Sequence, residues 1–235
     1  MIRVTIWNEY IHEKNNLQAG KIYPNGIHSQ IASFLKSDDI QVSTATLDMP
    51  EHGLTEEVLK NTDVLVWWGH VGHNDVRDEV ADRVAESVLK GMGLIALHSA
   101  HHSKPFKKLM GTSCNLNWRE DAYERLWCIA PHHPISMGVP SSFVLEQEEM
   151  YGEPFDIPKP EEVIFTGWYK SGEVFRSGCT FTRGYGKIFY FQPGHETYPI
   201  YYNEHVQRII KNAVAWANPL LKLEKLICPN TQPLE

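Results

Sequence analysis

Histidines and carboxylates recur in this 235-residue sequence directly behind its apolar runs. His70 and His73 follow "TDVLVWW", His98, Ser99, His101 and His102 follow "GLIAL", and His195 and Glu196 follow "KIFYFQPG". Asn8 and Glu9 end the first apolar run, and His28 lies two residues after Gly26. Imidazole, with an unperturbed pKa of about 6.5, can move a proton at neutral pH or offer a lone pair to a metal. One histidine behind a strand is ordinarily a hydrogen-bonded loop residue, whereas several on one rim point to a site. His132 and His133 read as a turn beside Pro134, and His12, His52 and His205 carry no positional signal.

The elements that must position these residues are legible as hydropathy periods. "IRVTIW", "IQVSTATL", "TDVLVWWG" and "GLIALHS" read as strands, the last two being continuous apolar runs suited to parallel strands covered on both faces. Between them, Ile27, Ile31 and Leu35 mark one helix face, residues 55–60 a short helix, and Val80, Val84 and Val88 another helix ending near Gly91. This alternation predicts an α/β fold with a doubly wound, mostly parallel sheet and helices on both faces. Residues 104–160 carry Pro105, Pro131, Pro134, Pro140, Pro154, Pro158 and Pro160, and read as an elaboration of one domain spanning 1–235. A β-meander follows, with turns at Ser171-Gly172 and Gly184-Tyr185-Gly186, and a last helix runs from about Asn203 to Ala217.

In open α/β sheets ligands bind beyond the carboxyl ends of the strands, the edge to which His70, His98, His195, Glu9 and the helix start bearing His28 are assigned. Two chemistries suit that set. In one, His98, His195 and either His28 or His70 bind a divalent metal, zinc above all, with Glu9, Glu149 or Glu196 as ligand or base; catalytic zinc usually takes three protein ligands. In the other, no metal is needed and a histidine paired with Glu196 or Glu149 moves protons on a bound substrate. Ser99 as a nucleophile activated by His195 is disfavoured, because "LHSAH" lacks the glycines of a G-x-S-x-G elbow. Glu149 and Tyr151, two apart, share a strand face; the bland reading of "EQEEMYGEPF" is an acidic edge strand. Trp67, Trp68, Trp118 and Trp168 are candidates for stacking on a ligand ring, with at least one of the first two in the core.

Composition removes other classes. The net charge is −7 with scattered acidic residues, which argues against nucleic acid or an anionic membrane as partner. No apolar stretch approaches about 18 residues and the first residues do not form a signal peptide, so a cytoplasmic protein is expected. Cys114, Cys128, Cys179 and Cys228 are widely spaced without a C-x-x-C, which favours reduced thiols. Further copies of the chain are an expected partner, with a small molecule at the histidine-lined edge.

The succession "WNEY", "YPNGIH", "WWGH", "ALHSAHH", "EEMYGE" and "GKIFYFQPGHETY" resembles the ThuA-like family of trehalose-utilisation proteins over almost all of residues 1–217. That family is similar in fold to the class I glutamine amidotransferases, so the resemblance implies a flavodoxin-like sandwich. It also points to Glu149 and Tyr151 as lining the pocket. Where an amidotransferase carries its cysteine, at the sharp turn after a central strand, this sequence has His98, so glutamine hydrolysis is disfavoured. The resemblance implies an enzyme of carbohydrate metabolism acting on a disaccharide or its keto derivative, by isomerisation or elimination. The rival is a non-catalytic sugar-binding or regulatory protein on the same scaffold.

Overall fold

The chain is seen in a computed structural model that describes residues 1–227 and 229–235; Cys228, one of the four thiols expected to be reduced, lies outside the described residues. In chain order the main elements are β1 (Ile2–Asn8), α1 (His12–Asn15), α2 (Leu17–Ile22), α3 (Ile27–Leu35), β2 (Ile40–Thr46), α4 (Glu56–Lys60), β3 (Val64–Trp68), α5 (Asp78–Leu89), β4 (Gly93–Leu97) and α6 (Lys104–Met110). They continue with β5 (Asn117–Cys128), β6 (Ser142–Gly152), β7 (Glu162–Tyr169), β8 (Val174–Arg183), β9 (Gly186–Phe191) and α7 (Glu204–Ala217).

Continuous apolarity in β3 and β4 reflects burial on both faces: every residue of both strands is buried. Leu65, Trp67, Leu94 and Ala96 enter one core with Val80, Val84 and Val88 of α5 and Phe106 and Leu109 of α6. Val64, Val66, Trp68, Ile95 and Leu97 enter the other, with Ile27, Ile31 and Leu35 of α3 and Ile209, Ile210 and Val214 of α7. Each such aliphatic side chain contributes roughly 1.5–3 kcal/mol by leaving water. Trp67 and Trp68 are both core, and Trp7 stacks on Trp67 with ring centroids 3.9 Å apart.

All nine strands join one sheet in the order β2-β1-β3-β4-β9-β8-β7-β5-β6. The pairings from β2 to β9 are parallel, and those from β9 to β6 antiparallel. The expectation of a mostly parallel sheet is therefore corrected to a mixed one. Only Gly184 and Tyr185 separate β8 from β9, too short a link for a parallel crossover. The Pro-rich segment supplies β5 and β6 to this same sheet and also α6, with Pro105 in the first turn of that helix, where its missing N–H costs nothing.

Register fixes the site. Asn8 pairs with Trp68, Trp68 with Leu97 and Leu97 with Phe191, so the last residues of β1, β3, β4 and β9 form one row across the sheet. Whatever follows that row emerges along a common edge.

α7, which closes one core, starts at Asn203, whose Oδ1 accepts from the amides of His205 (2.9 Å) and Val206 (3.3 Å). Asn203→Ala should lower stability by about 1 kcal/mol, read as a lower urea midpoint at an unchanged denaturant slope.

Candidate functional site

The turn after β4 begins with a non-glycine residue in the left-handed region: His98 has φ +53° and heads a 3₁₀ turn, His98–His102. That conformation costs an L-residue roughly 1–2 kcal/mol and is sustained by what the ring meets. Nδ1 of His98 donates to the carbonyl of Gln192 at 3.0 Å, which turns Nε2 away from the strand and toward the other side chains of the cluster. This Nε2 lies 3.1 Å from Glu149 Oε2, and the ring stacks on Tyr151 with centroids 5.2 Å apart. Glycine is required opposite: Gly194 has φ +149°, and a Cβ there would strike the Tyr201 hydroxyl and press on the Cβ of His98.

Four side chains from four separate segments converge here. One donor atom from each of His70, His98, Glu149 and His195 falls within 4.8 Å of the others. The imidazoles of His70, His98 and His195 stand edge to face, with centroids 5.3–5.6 Å apart. His98, Glu149 and His195 are at most 3% exposed, and none of His98 Nε2, Glu149 Oε2 and His195 Nε2 has a hydrogen-bond partner among the described residues. Three buried, unpartnered polar atoms within 4.8 Å of one another are costly unless a cation or ligand sits between them. Nδ1 of His195 accepts the Thr197 amide at 3.3 Å and meets the Thr197 hydroxyl at 2.8 Å, and these two contacts fix the ring with Nε2 facing the other three side chains. Burial, then the charge of His98, brings His195 down to about 4, which holds it neutral as a ligand must be. Burial raises Glu149, yet His98, His195 and His70 outweigh it and hold the carboxyl below its ordinary range.

A second layer orients this set. Nδ1 of His70 lies 2.9 Å from Glu196 Oε2, and Nδ1 of His12, on α1, lies 3.3 Å from Glu196 Oε1. Burial pulls His70 down, but Glu196 through its hydrogen bond and charge, helped by Glu149 and Glu9, raises it overall. Glu9 is committed to the backbone: its carboxylate accepts the amides of His70 (2.7 Å), Val71 (3.0 Å) and Gly72 (2.8 Å), pinning the loop that carries His70. Glu148 does the same for the loop after β9, accepting from Gly194 and His195, both at 3.1 Å. Desolvation pushes Glu148 well above the usual carboxylate range, and Glu124 up to about 8.

His28 lies outside the convergent four, its Nδ1 3.0 Å from the Asn8 amide nitrogen and its ring edge-on to Tyr10. Ser99 meets the Tyr151 hydroxyl at 2.7 Å rather than an imidazole, and burial keeps that phenol protonated, so the structure gives Ser99 no base. His101 is buried on the Cys114 carbonyl. Sequence reasoning missed His12, whose four-residue helix has no hydropathy period, and Glu148 and Gln192, which act through backbone groups; the acidic run 146–149 was the one available signal for Glu148. A cavity of about 800 Å³ at the opposite edge of the sheet is lined in part by Arg3, Arg83 and Lys90, which are paired with Asp63, Glu51 and Glu86.

Fold and site together define an α/β protein with a buried imidazole–carboxylate centre at the carboxyl edge of its parallel strands. The chain belongs to the ThuA family, described as trehalose utilisation, whose match spans residues 3–217. Its fold is similar to that of a ThuA-like protein from Parabacteroides merdae (15% identity, 96% of this chain and 92% of that one, TM-score 0.68). Similar too are a ThuA-like protein from Bacteroides uniformis (16% identity, 92% and 91%, TM-score 0.65) and a cytoplasmic protein from Salmonella typhimurium LT2 (14% identity, 92% and 100%, TM-score 0.62). No curated protein matches the sequence. Among the described residues no helix is long and apolar enough to cross a membrane.

Burial opposes ionisation of Glu196, but the hydrogen bond and charge of His70 prevail and bring its carboxyl from 4.5 down to about 2. A depressed carboxylate contributes stability that is complete above its unfolded pKa and lost as pH falls through the folded value. The stability gap between the wild type and Glu196→Gln should therefore shrink from pH 5 to pH 2, as measured by urea unfolding at each pH.

Proposed function

We propose that the chain is a carbohydrate enzyme of trehalose utilisation, acting on a disaccharide or its keto derivative by His/Glu proton transfer at a divalent metal centre. The observation that carries the reading is the set of three buried, unpartnered donor atoms on His98, Glu149 and His195. Two imidazoles and one carboxylate, with His70 beside them, are the donor set of zinc or a similar transition metal. Lewis-acid polarisation of a sugar carbonyl is the chemistry that such an ion supplies when bound.

The chain's own residues do the rest. His98 is aimed by the Gln192 carbonyl, and His195 by the Thr197 hydroxyl and the grip of Glu148 on its amide. His70 is the most open of the three convergent imidazoles, with 23% of its side chain exposed. With Nδ1 held on Glu196, its Nε2 is the atom placed to take a proton from the carbon beside the carbonyl and return it elsewhere, which gives isomerisation, or elimination if a neighbouring substituent leaves. Glutamine hydrolysis is disfavoured: His98 occupies the elbow, and burial pushes the thiols of Cys114 and Cys179 up, the latter to about 12. The order β2-β1-β3-β4-β9 supports a doubly wound, flavodoxin-like reading of the parallel half, and the unpaired thiols of Cys114, Cys128 and Cys179 fit a cytoplasmic location.

Elemental analysis of the purified protein should find close to one divalent metal per chain, reduced at least tenfold in His98→Ala and in Glu149→Gln with circular dichroism unchanged. His70→Ala should lower kcat on a keto-disaccharide by about 10²–10⁴. Metal-free protein with full turnover, or wild-type rates in His98→Ala and His195→Ala, would remove the assignment.

A further inference from the structure

The centre is enclosed, with His98, Glu149 and His195 at most 3% exposed and 23% of the His70 side chain exposed, so a disaccharide reacting there would leave its other ring against neighbouring surface. Residues 118–121 of β5 are tied to the site from two sides. Trp118 is the cross-strand partner of Tyr151, so the two side chains leave the hairpin on one face with Cβ atoms about 4.5–5.5 Å apart. Tyr151 is the residue that stacks on His98 and bonds Ser99. Three residues on, Asp121 Oδ1 accepts from the Tyr198 hydroxyl at 2.6 Å, and the Tyr198 ring lies 5.2 Å from that of His195.

Between these two ties the strand is irregular. Its pairing with β6 shifts register between Arg119 and Ala122, and Asp121 has φ +57°. Bulges of this kind bend a strand and re-aim a side chain, and they recur beside active sites. Trp118, at the start of this irregularity, is 63% exposed although its partner Tyr151 is 3% exposed. Val71, next to His70, is 55% exposed. A flat indole kept in water beside an enclosed polar centre matches the apolar face of a pyranose, which combines stacking area with hydroxyls that stay hydrated.

We infer that Trp118 is the wall of a second subsite, which holds the unreacted ring of a disaccharide or glycoside while the oxidised ring occupies the centre of His70, His98, Glu149 and His195. The inference rests on the proposed sugar chemistry and adds a preference for two-ring over one-ring substrates. Trp118 is a specificity-determining residue and takes no part in proton transfer.

The test compares wild type, Trp118→Ala and Trp118→Phe on a keto-disaccharide and on the corresponding keto-monosaccharide, with metal content measured on each preparation. In Trp118→Ala the KM for the disaccharide should rise about tenfold while kcat changes less than twofold, so the preference for two rings collapses. Trp118→Phe should restore most of it, and metal content should not move. An unchanged disaccharide KM in Trp118→Ala, with wild-type turnover intact, overturns the subsite alone. Wild-type protein that converts neither sugar overturns the proposed function and the subsite together.

Discussion

The parallel register of four strands is the constraint from which the centre follows. Because Asn8, Trp68, Leu97 and Phe191 lie in one row, the residues behind them begin from the same level on the sheet. Glu9, His70, His98 and His195 leave that row within a few residues of it. Two-sided burial makes the row rigid, since a one-residue slip in β3 or β4 would exchange the side chains of two packed cores.

Four buried carboxylates show how surroundings divide labour among chemically identical groups. Glu9 and Glu148 spend their oxygens on backbone amides and hold the two loops that carry His70 and His195. Glu149, the sequence neighbour of Glu148, turns to the imidazoles, and Glu196 accepts the far nitrogen of His70. A carboxylate behind a histidine fixes its orientation and raises its basicity, and amide-bound carboxylates behind the loops fix where the histidine starts. Disturbing either layer moves donor atoms that must agree to a fraction of an ångström.

Legibility in the sequence followed the range of the interactions. The two-sided strands, the helices after them and the placement of His70, His98 and His195 behind strand ends rest on local periods, and they were readable. Pairing partners were not. Nothing local to β5 and β6 says that they extend the sheet beyond β7, which made the sheet read as mostly parallel. His28 and His70 were equivalent candidates by position, and the structure separates them by surroundings: His70 joins His98, Glu149 and His195, whereas His28 lies against Asn8 and Tyr10. Glu9 stood out as an acid at a strand end, but no pattern announced that three amides would converge on it.

The centre draws on residues 70, 98, 149 and 195, which lie on four segments separated by tens of residues. No fragment shorter than residues 70–195 contains it, and during synthesis the last imidazole arrives only after the first 194 residues have been made. Such contacts are of high sequence separation and close late, so the paired β1–β4 core can form while β9 is still missing from its edge. Throughout that interval the edge of β4 stands open, and an unpaired strand edge is a template on which another nascent chain can add a strand.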